Sequence, residues 1–310
     1  MSRKGLEHIT DRIVASYKSY GGINHIDGVN LPSKETTVEI TRDLMRLLFP
    51  GYLGGDVIHS SEIHEYVTAL TASISTRLQK EILKALQYRP FPGCDTAHLD
   101  AESRRLTLEF LESLPALRGL LQTDVEATYE GDPAAISHEE VIVAYPGMEA
   151  IAVQRMAHVL YQREVPLIPR IMTEYAHSRT GIDIHPGATI ASHFCIDHGT
   201  GVVIGETASI GKRVKLYQGV TLGAKSFKKD ANGRLVKGGK RHPDIGDDVV
   251  IYAGATILGG DTSIGRGSVV GSNVWVMQSV PPHSVVYFEN QQLRIKPLKE
   301  TDKHEVDFQI

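Results

Sequence analysis

From Ile184 to Val220 an aliphatic side chain returns at nearly every sixth residue: Ile184, Ile190, Ile196, Val202, Ala208, Val214 and Val220. The series resumes at Ile245, Ile251 and Ile257, slips by one residue, and continues at Ile264, Val270 and Val276. A period of six is neither the 3.6 of a helix nor the 2 of a simple strand. It is the period of a β-solenoid whose coils have three short faces. Each hexad makes one strand and one turn. Its aliphatic residue points inward and stacks on its counterpart in the next coil, about 4.8 Å away. Turn positions carry Gly187, Gly199, Gly205, Gly211, Gly246, Gly254, Gly260 and Gly265. A β-sandwich turns about every 8–12 residues, too long a spacing for this pattern.

The segment before the repeat reads as helical, so the fold class expected is α+β. Residues 1–180 form an α-helical domain, of which 1–30 are polar, glycine-bearing and loosely ordered. A helix starts near Thr36, where Thr36-x-x-Glu39 reads as a capping box, and ends at Pro50-Gly51. A long amphipathic stretch covers about 58–87. Further helical segments cover about 101–113, 115–129, 138–144, 148–164 and 168–178. The solenoid domain spans 181–284, stopped by Pro281-Pro282, and 285–310 form a tail.

The chain has 310 residues, 41% of them hydrophobic, enough for two domains with a sizeable core. Its formal charge of −4 implies no general affinity for nucleic acid or membranes. It has neither a membrane-length apolar run nor a signal-peptide apolar core, so a cytoplasmic location is expected. Cys94 and Cys195 fall in different domains and read as reduced thiols.

Between Val220 and Ile245 the repeat is interrupted by a protruding loop, residues 224–243. It carries Lys225, Lys228, Lys229, Arg234, Lys237, Lys240 and Arg241 against the single acid Asp230. In an acidic chain this concentration of cations suits an electropositive lip for a phosphorylated cofactor.

Four stretches are dense in catalytic residue types: Asp183-Ile184-His185-Pro186, Asp197-His198-Gly199-Thr200-Gly201, Lys240-Arg241-His242-Pro243 and Gly131-Asp132-Pro133. Asp183 and His198 are 15 residues apart, three short of an 18-residue coil, so they are expected near one corner. A carboxylate accepting from one imidazole nitrogen raises the basicity of the other, which suits a general base. His242 follows His198 by 44 residues and reaches it more easily from a neighbouring subunit than along the prism.

Together these stretches resemble the serine O-acetyltransferase family, within the left-handed hexapeptide-repeat acyltransferases. The resemblance rests on DIHPGA at 183–188, IDHGTGVVIGETA at 196–208, VTLGA at 220–224, RHP at 241–243 and PPHS at 281–284, with AYPGMEAIAVQRMAHVLYQ at 144–162 and AHSRTG at 176–181. It is strong over about 124–284 and loose over the first hundred residues. It implies a left-handed parallel β-helix that packs as a trimer, pairing into a dimer of trimers through the helical domains. It also implies transfer of acetyl from acetyl-CoA to the L-serine hydroxyl, the first step of cysteine biosynthesis from serine, with no metal.

By the same resemblance His198 is the general base and Asp183 its orienting carboxylate, with His242 also in the catalytic set. Asp132 and Asp197 hold serine, Arg241 and His242 bind its carboxylate, and Thr221, Leu222, Gly223 and Ala224 line the pantetheine channel. Lys225 and Lys240 join them as cofactor-binding residues. The chain departs from the family in Gly223-Ala224 in place of two glycines, in the long loop before Arg241, and in Tyr287-Phe288-Glu289-Asn290, where the family closes its solenoid differently. The family often ends in an isoleucine that docks into O-acetylserine sulfhydrylase, and this chain ends Asp307-Phe308-Gln309-Ile310. Cysteine, an isostere of serine, is expected to inhibit.

Three other functions fit parts of the pattern. The scaffold also suits an acyltransferase for a sugar or another amine. Arg241 with Asp132 argues instead for an amino-acid zwitterion. A zinc carbonic anhydrase would use His193, His198 and His242, but leaves Asp183 and the helical domain without a role. A non-catalytic scaffold for the sulfhydrylase would be inactive by itself.

Overall fold

The computed structural model describes residues 3–54, 57–88, 96–226, 229–236 and 238–289. They divide into two compact units, one of residues 1–117 with 155–172 and one of 118–154 with 173–310. Residues 118–154 therefore go with the solenoid, whereas the sequence suggested a helical domain running to 180.

In the first unit the chain opens with α1 (Arg3–Ser19), a helix with no buried residue. The loosely ordered start read from its polarity is thus helical, with an exposed apolar face that includes Leu6, Ile9 and Ile13. A 3-10 turn follows at Gly21–Ile23. In α2 (Lys34–Leu48) the N-cap is Ser33, whose hydroxyl accepts from the Thr36 N–H at 3.1 Å. The helix begins before Thr36, so the capping box proposed there does not form. Buried Ile40, Leu44 and Leu48 share the core of this unit with Ile74, Leu78 and Ile82 of α3 (Ile63–Tyr88). Two polar links tie the pair: Arg77 reaches Asp43 at 2.5 Å, and the buried Glu81 accepts from the Ser33 N–H at 2.6 Å.

A single helix, α4 (Thr96–Gly131), covers the two segments expected at 101–113 and 115–129. Pro115 lies inside it. A proline there costs about 3 kcal/mol, but buried Leu106 and Phe110 before it, and Leu117, Leu121 and Val125 after it, keep the helix continuous. Three shorter helices follow: α5 (His138–Ala144), capped by Ser137, α6 (Pro146–Gln162) and α7 (Ile168–Thr180).

The rest is a parallel β-helix with three faces. The first face stacks β1 (Asp183–Ile184), β4 (Val203–Ile204), β7 (Thr221–Gly223), β10 (Thr256–Leu258) and β13 (Trp275–Val276). The second stacks β2 (Thr189–Ile190), β5 (Ser209–Ile210), β8 (Asp244–Ile245) and β11 (Ser263–Ile264). The third stacks β3 (Cys195–Ile196), β6 (Lys215–Leu216), β9 (Val250–Ile251), β12 (Val269–Val270) and β14 (Val285–Val286). The inward residue of every strand but β14 is buried, as Ile184, Ile204, Leu222, Ile257 and Val276 show on the first face.

The register departs from a constant 18-residue coil. Asp183 pairs with Val203 and Cys195 with Lys215, steps of 20 residues. From β4 to β7 the step falls to 18, Val203 with Thr221. Two extra residues therefore sit in the corner between β3 and β4. The six-residue count steps across them unnoticed, because Val202, Ala208, Val214 and Val220 are buried too, as corner residues rather than strand residues. The loop at 224–243 leaves the prism between the first and second faces, and β5 pairs directly with β8 across its base. Pro281-Pro282 does not end the solenoid: β14, placed in the tail by the sequence, pairs with β12.

Candidate active site

His198 stands on the enlarged corner. Its φ is +58°, and Gly199 and Gly201 follow at +86° and +83°. A left-handed backbone costs a non-glycine residue roughly 1–2 kcal/mol, and the corner is held by the Gly201 N–H donating to Gly181 O at 2.8 Å. The result is an imidazole that is 71% exposed on the outside of the prism.

Asp197, beside it, is buried. Its carboxylate lies 3.8 Å from His198 Nδ1 and pairs with Lys215 Nζ at 2.9 Å. Lys215 also donates to Gly131 O at 2.6 Å and lies 4.4 Å from the Tyr217 ring centre. Burial pulls the Lys215 ammonium pKa down, but its bonds to Tyr217 and Asp197 outweigh this and raise it.

The end of α4 positions the next acid. Thr123 Oγ1 accepts from the His193 N–H at 3.0 Å, and Asp124 Oδ1 accepts from the Phe194 N–H at 2.9 Å. These bonds lay residues 118–131, the end of α4, along the third face and bring Asp132 into the electrostatic reach of Lys215 and His198. Tyr145 donates its hydroxyl to Asp132 Oδ2 at 2.6 Å, and the Ala134 N–H donates to Oδ1 at 2.8 Å. Those two bonds hold the Asp132 carboxyl below its usual range, and the same Tyr145 bond pushes the phenol up to about 12.

A second cluster occupies the corner between the first and second faces. His242 is buried, and its Nδ1 accepts from the Thr207 N–H at 3.0 Å and lies 2.9 Å from Thr207 Oγ1. The Thr207 hydroxyl in turn accepts from the backbone N–H groups of Arg241 and His242 at 2.9 and 3.0 Å. Arg241 Nη2 pairs with Glu206. Among the described residues, Arg241 Nη1 is the one buried side-chain nitrogen or oxygen without a hydrogen-bond partner. Burial, with Arg241 adding to it, lowers the His242 pKa to about 4.

The loop base forms a groove of about 630 Å³ whose lining includes Lys225, Gly239, Lys240, Arg241, Gly260 and Asp261. Lys240 there donates to Thr207 O at 2.7 Å. On β7, Leu222 is buried in the core, so only its backbone can face a ligand, while Thr221, Gly223 and Ala224 are half-buried. Lys228, Lys237, Cys94 and Ile310 lie outside the described residues.

Two sequence expectations meet a different arrangement. Asp183 makes no hydrogen bond or ion pair with His198 in this structure. Its carboxylate lies with Glu174 and His177 of α7, donor atoms all within 4.8 Å of one another. The 20-residue first coil moves the corner two residues beyond the point assumed for an 18-residue coil. His193, His198 and His242 do not cluster either. Among the described residues the one group of three metal-ligating side chains is Glu174, His177 and Asp183. Burial pushes the Cys195 thiol up to about 11, which disfavours it as a nucleophile.

Sequence reasoning missed Lys215, Tyr145, Glu206 and Thr207. Lys215 was within reach, because it pairs with Cys195 one true coil on. Tyr145 lies in the 144–162 segment that carries the resemblance, but its pairing with Asp132 depends on how the chain turns between α4 and α6.

No protein-family model matches the chain. It is 48% identical over 260 residues to a plasmid-encoded serine acetyltransferase of Synechococcus elongatus, covering 83% of this chain and 81% of that protein. A crystal structure of Entamoeba histolytica serine acetyltransferase 1 in complex with L-cysteine superposes with a TM-score of 0.70 at 35% identity, covering 84% of this chain and 88% of that one. Soybean serine acetyltransferase complexed with serine superposes with a TM-score of 0.51 at 31% identity, covering 83% and 98%.

Proposed function

The chain belongs to the serine acetyltransferase family, and on that premise we propose that it transfers acetyl from acetyl-CoA directly to the hydroxyl of L-serine. His198 takes the hydroxyl proton as the oxygen attacks the thioester carbon. The new C–O bond forms, the C–S bond breaks, and the imidazolium returns the proton to the departing CoA sulfur. General base action of this kind contributes typically about 10²–10⁴-fold. Supporting this role are the exposure of His198 on its corner and two acids suited to the serine ammonium, Asp197 beside it and Asp132 within its electrostatic reach. Asp183 orients the base in this reading, which requires the exposed His198 side chain to turn toward β1 once substrates bind.

The observation that carries the substrate assignment is Arg241 Nη1, buried and unpaired. A guanidinium nitrogen in that state is suited to a carboxylate. His242 adds a second donor: its Nδ1 is occupied by the Thr207 N–H, so its proton sits on Nε2. Lys225 and Lys240 at the loop groove suit the phosphates of CoA, and the backbone from Thr221 to Ala224, on β7 and just after it, suits its pantetheine arm.

These two halves of the site lie on different corners of one prism. His198 is on the corner before the first face and His242 on the corner after it. At ~3.3 Å per residue that face is roughly 15 Å wide, beyond direct contact. A trimer that turns the first face toward its axis would place His198 of one subunit against Arg241 and His242 of the next. The exposed Trp275 and Val203 on that face favour its burial, while Thr189, Ser209, Asp244 and Ser263 on the second face suit solvent. Cysteine, which replaces the hydroxyl by a thiol, would occupy the serine site as an inhibitor.

The test is release of CoA thiol from acetyl-CoA with L-serine, L-homoserine, a galactoside or no acceptor. Serine-dependent release that falls at least a hundredfold in His198→Ala is the expected result. Release with another acceptor would overturn the substrate, and no release at all would overturn the activity. Asp183→Asn should lower the turnover number and shift its pH profile; an unchanged profile removes Asp183 from the mechanism.

A further inference from the structure

We propose that Glu174, His177 and Asp183 form a binding site for a divalent transition-metal ion, and that its occupancy switches off acetyl transfer. The switching half rests on the role given above to Asp183. The binding half stands on geometry alone.

Glu174 and His177 are three residues apart on α7, so both side chains leave the same face of the helix. Their donor atoms, His177 Nδ1 and Glu174 Oε2, are 3.6 Å apart. The helix ends at Thr180, and the chain turns through Gly181 into β1, whose first residue is Asp183. That turn is short and fixed: the Gly181 N–H donates to His177 O at 2.9 Å, and Asp183 N–H donates to Val202 O at 2.9 Å. The backbone thus holds a third donor against the pair, and all three donor atoms fall within 4.8 Å of one another.

A tetrahedral ion with ligands at about 2.1 Å sets its donors roughly 3.4 Å apart. The His177–Glu174 separation already matches that figure. Rotation of the His177 side chain, which is 43% exposed, can close the remaining distance to Asp183. The donor set, one imidazole nitrogen and two carboxylate oxygens, is borderline in softness. It suits zinc or cobalt over calcium or magnesium, which favour all-oxygen shells. Three protein ligands leave a fourth position for water.

Binding would engage the Asp183 carboxylate, which could then no longer accept from His198. The imidazole would lose the partner that raises its basicity, and acetyl transfer would slow. The acetyl transfer proposed above assigns no role to Glu174 or His177, so substituting them separates metal response from catalysis.

The experiment is titration of untagged protein with Co2+, read by its visible absorption, in wild type, Glu174→Gln and His177→Ala, with Zn2+ as competitor. Wild type should bind one ion per chain at this site, displaced by zinc, and each variant should weaken that binding by roughly tenfold or more. Equal binding in all three proteins overturns the site. In parallel, micromolar zinc should inhibit serine-dependent thiol release by wild type but spare His177→Ala, whose metal-free activity matches wild type. Equal inhibition of both overturns the switch. Metal-free activity with serine reports on the acetyl transfer reading separately, so failure of one leaves the other standing.

Discussion

The Thr207 N–H donates to His242 Nδ1 at 3.0 Å. A backbone N–H cannot donate to a protonated nitrogen, so this bond fixes the neutral ring. Burial and the Arg241 charge lower its pKa to about 4. Because the folded value lies below the ordinary 6.5, the unfolded chain takes up the proton first on acidification. The stability that the neutral ring contributes is therefore complete above about pH 6.5 and is lost as pH falls toward 4. Thermal melts of wild type and His242→Gln across pH 4–7 check this. Wild type should lose stability more steeply, and parallel curves would sink the assignment.

Gly205 lies directly under that ring. A Cβ added there would overlap His242 Cδ2 and Nε2. Gly205→Ala should displace the imidazole and cost about 1–3 kcal/mol of stability, as overpacking does. KM for serine should rise more than KM for acetyl-CoA, since Nε2 is the nitrogen assigned to the serine carboxylate. Steady-state kinetics at 25 °C read both, and an equal rise in the two constants would place His242 elsewhere.

Tyr145 keeps Asp132 ionised and pointed by a bond of 2.6 Å. Hydrogen bonds to charged groups contribute about 1.5–3 kcal/mol, so Tyr145→Phe should raise KM for serine by about tenfold or more. The Asp132 carboxyl, now held below its usual range, should return toward it, so serine binding should fail at a higher pH than in wild type. Binding isotherms between pH 4 and 7 would show this as a shift of the acid limb toward neutral. An unmoved limb would contradict it.

We propose, on the family resemblance, that the segment Asp307-Phe308-Gln309-Ile310 is recognised by O-acetylserine sulfhydrylase. Deleting Ile310 should abolish association with O-acetylserine sulfhydrylase and leave acetyl transfer intact. A pull-down with both proteins, scored beside the thiol-release assay, decides it. Retained association would remove the tail from recognition.

The faces of the solenoid are legible from Ile184 onward, because each coil repeats the same local problem: one aliphatic residue must face inward and one corner must turn. That demand acts on neighbouring residues and leaves a period in the sequence. The candidate site residues were named through the family motifs instead; His198, Arg241 and His242 all sit at corners, outside the period itself. Pro115 misled because a helix held by buried Phe110 and Leu117 on either side can absorb a proline, and that support is not local.

What only the tertiary structure decided is which of these groups meet. The two extra residues at 197–201 are invisible to a count of six, because corner residues are buried as well as strand residues. Yet they shift the register from 18 to 20, place Lys215 beside Asp197 and leave Asp183 out of contact with His198. Tyr145 reaches Asp132, and Thr207 reaches His242 across 35 residues, through the stacking of coils and the turn of α4. Local periodicity states how often the chain turns. Which side chains then face each other depends on the summed length of every corner, a quantity set only when the whole coil closes.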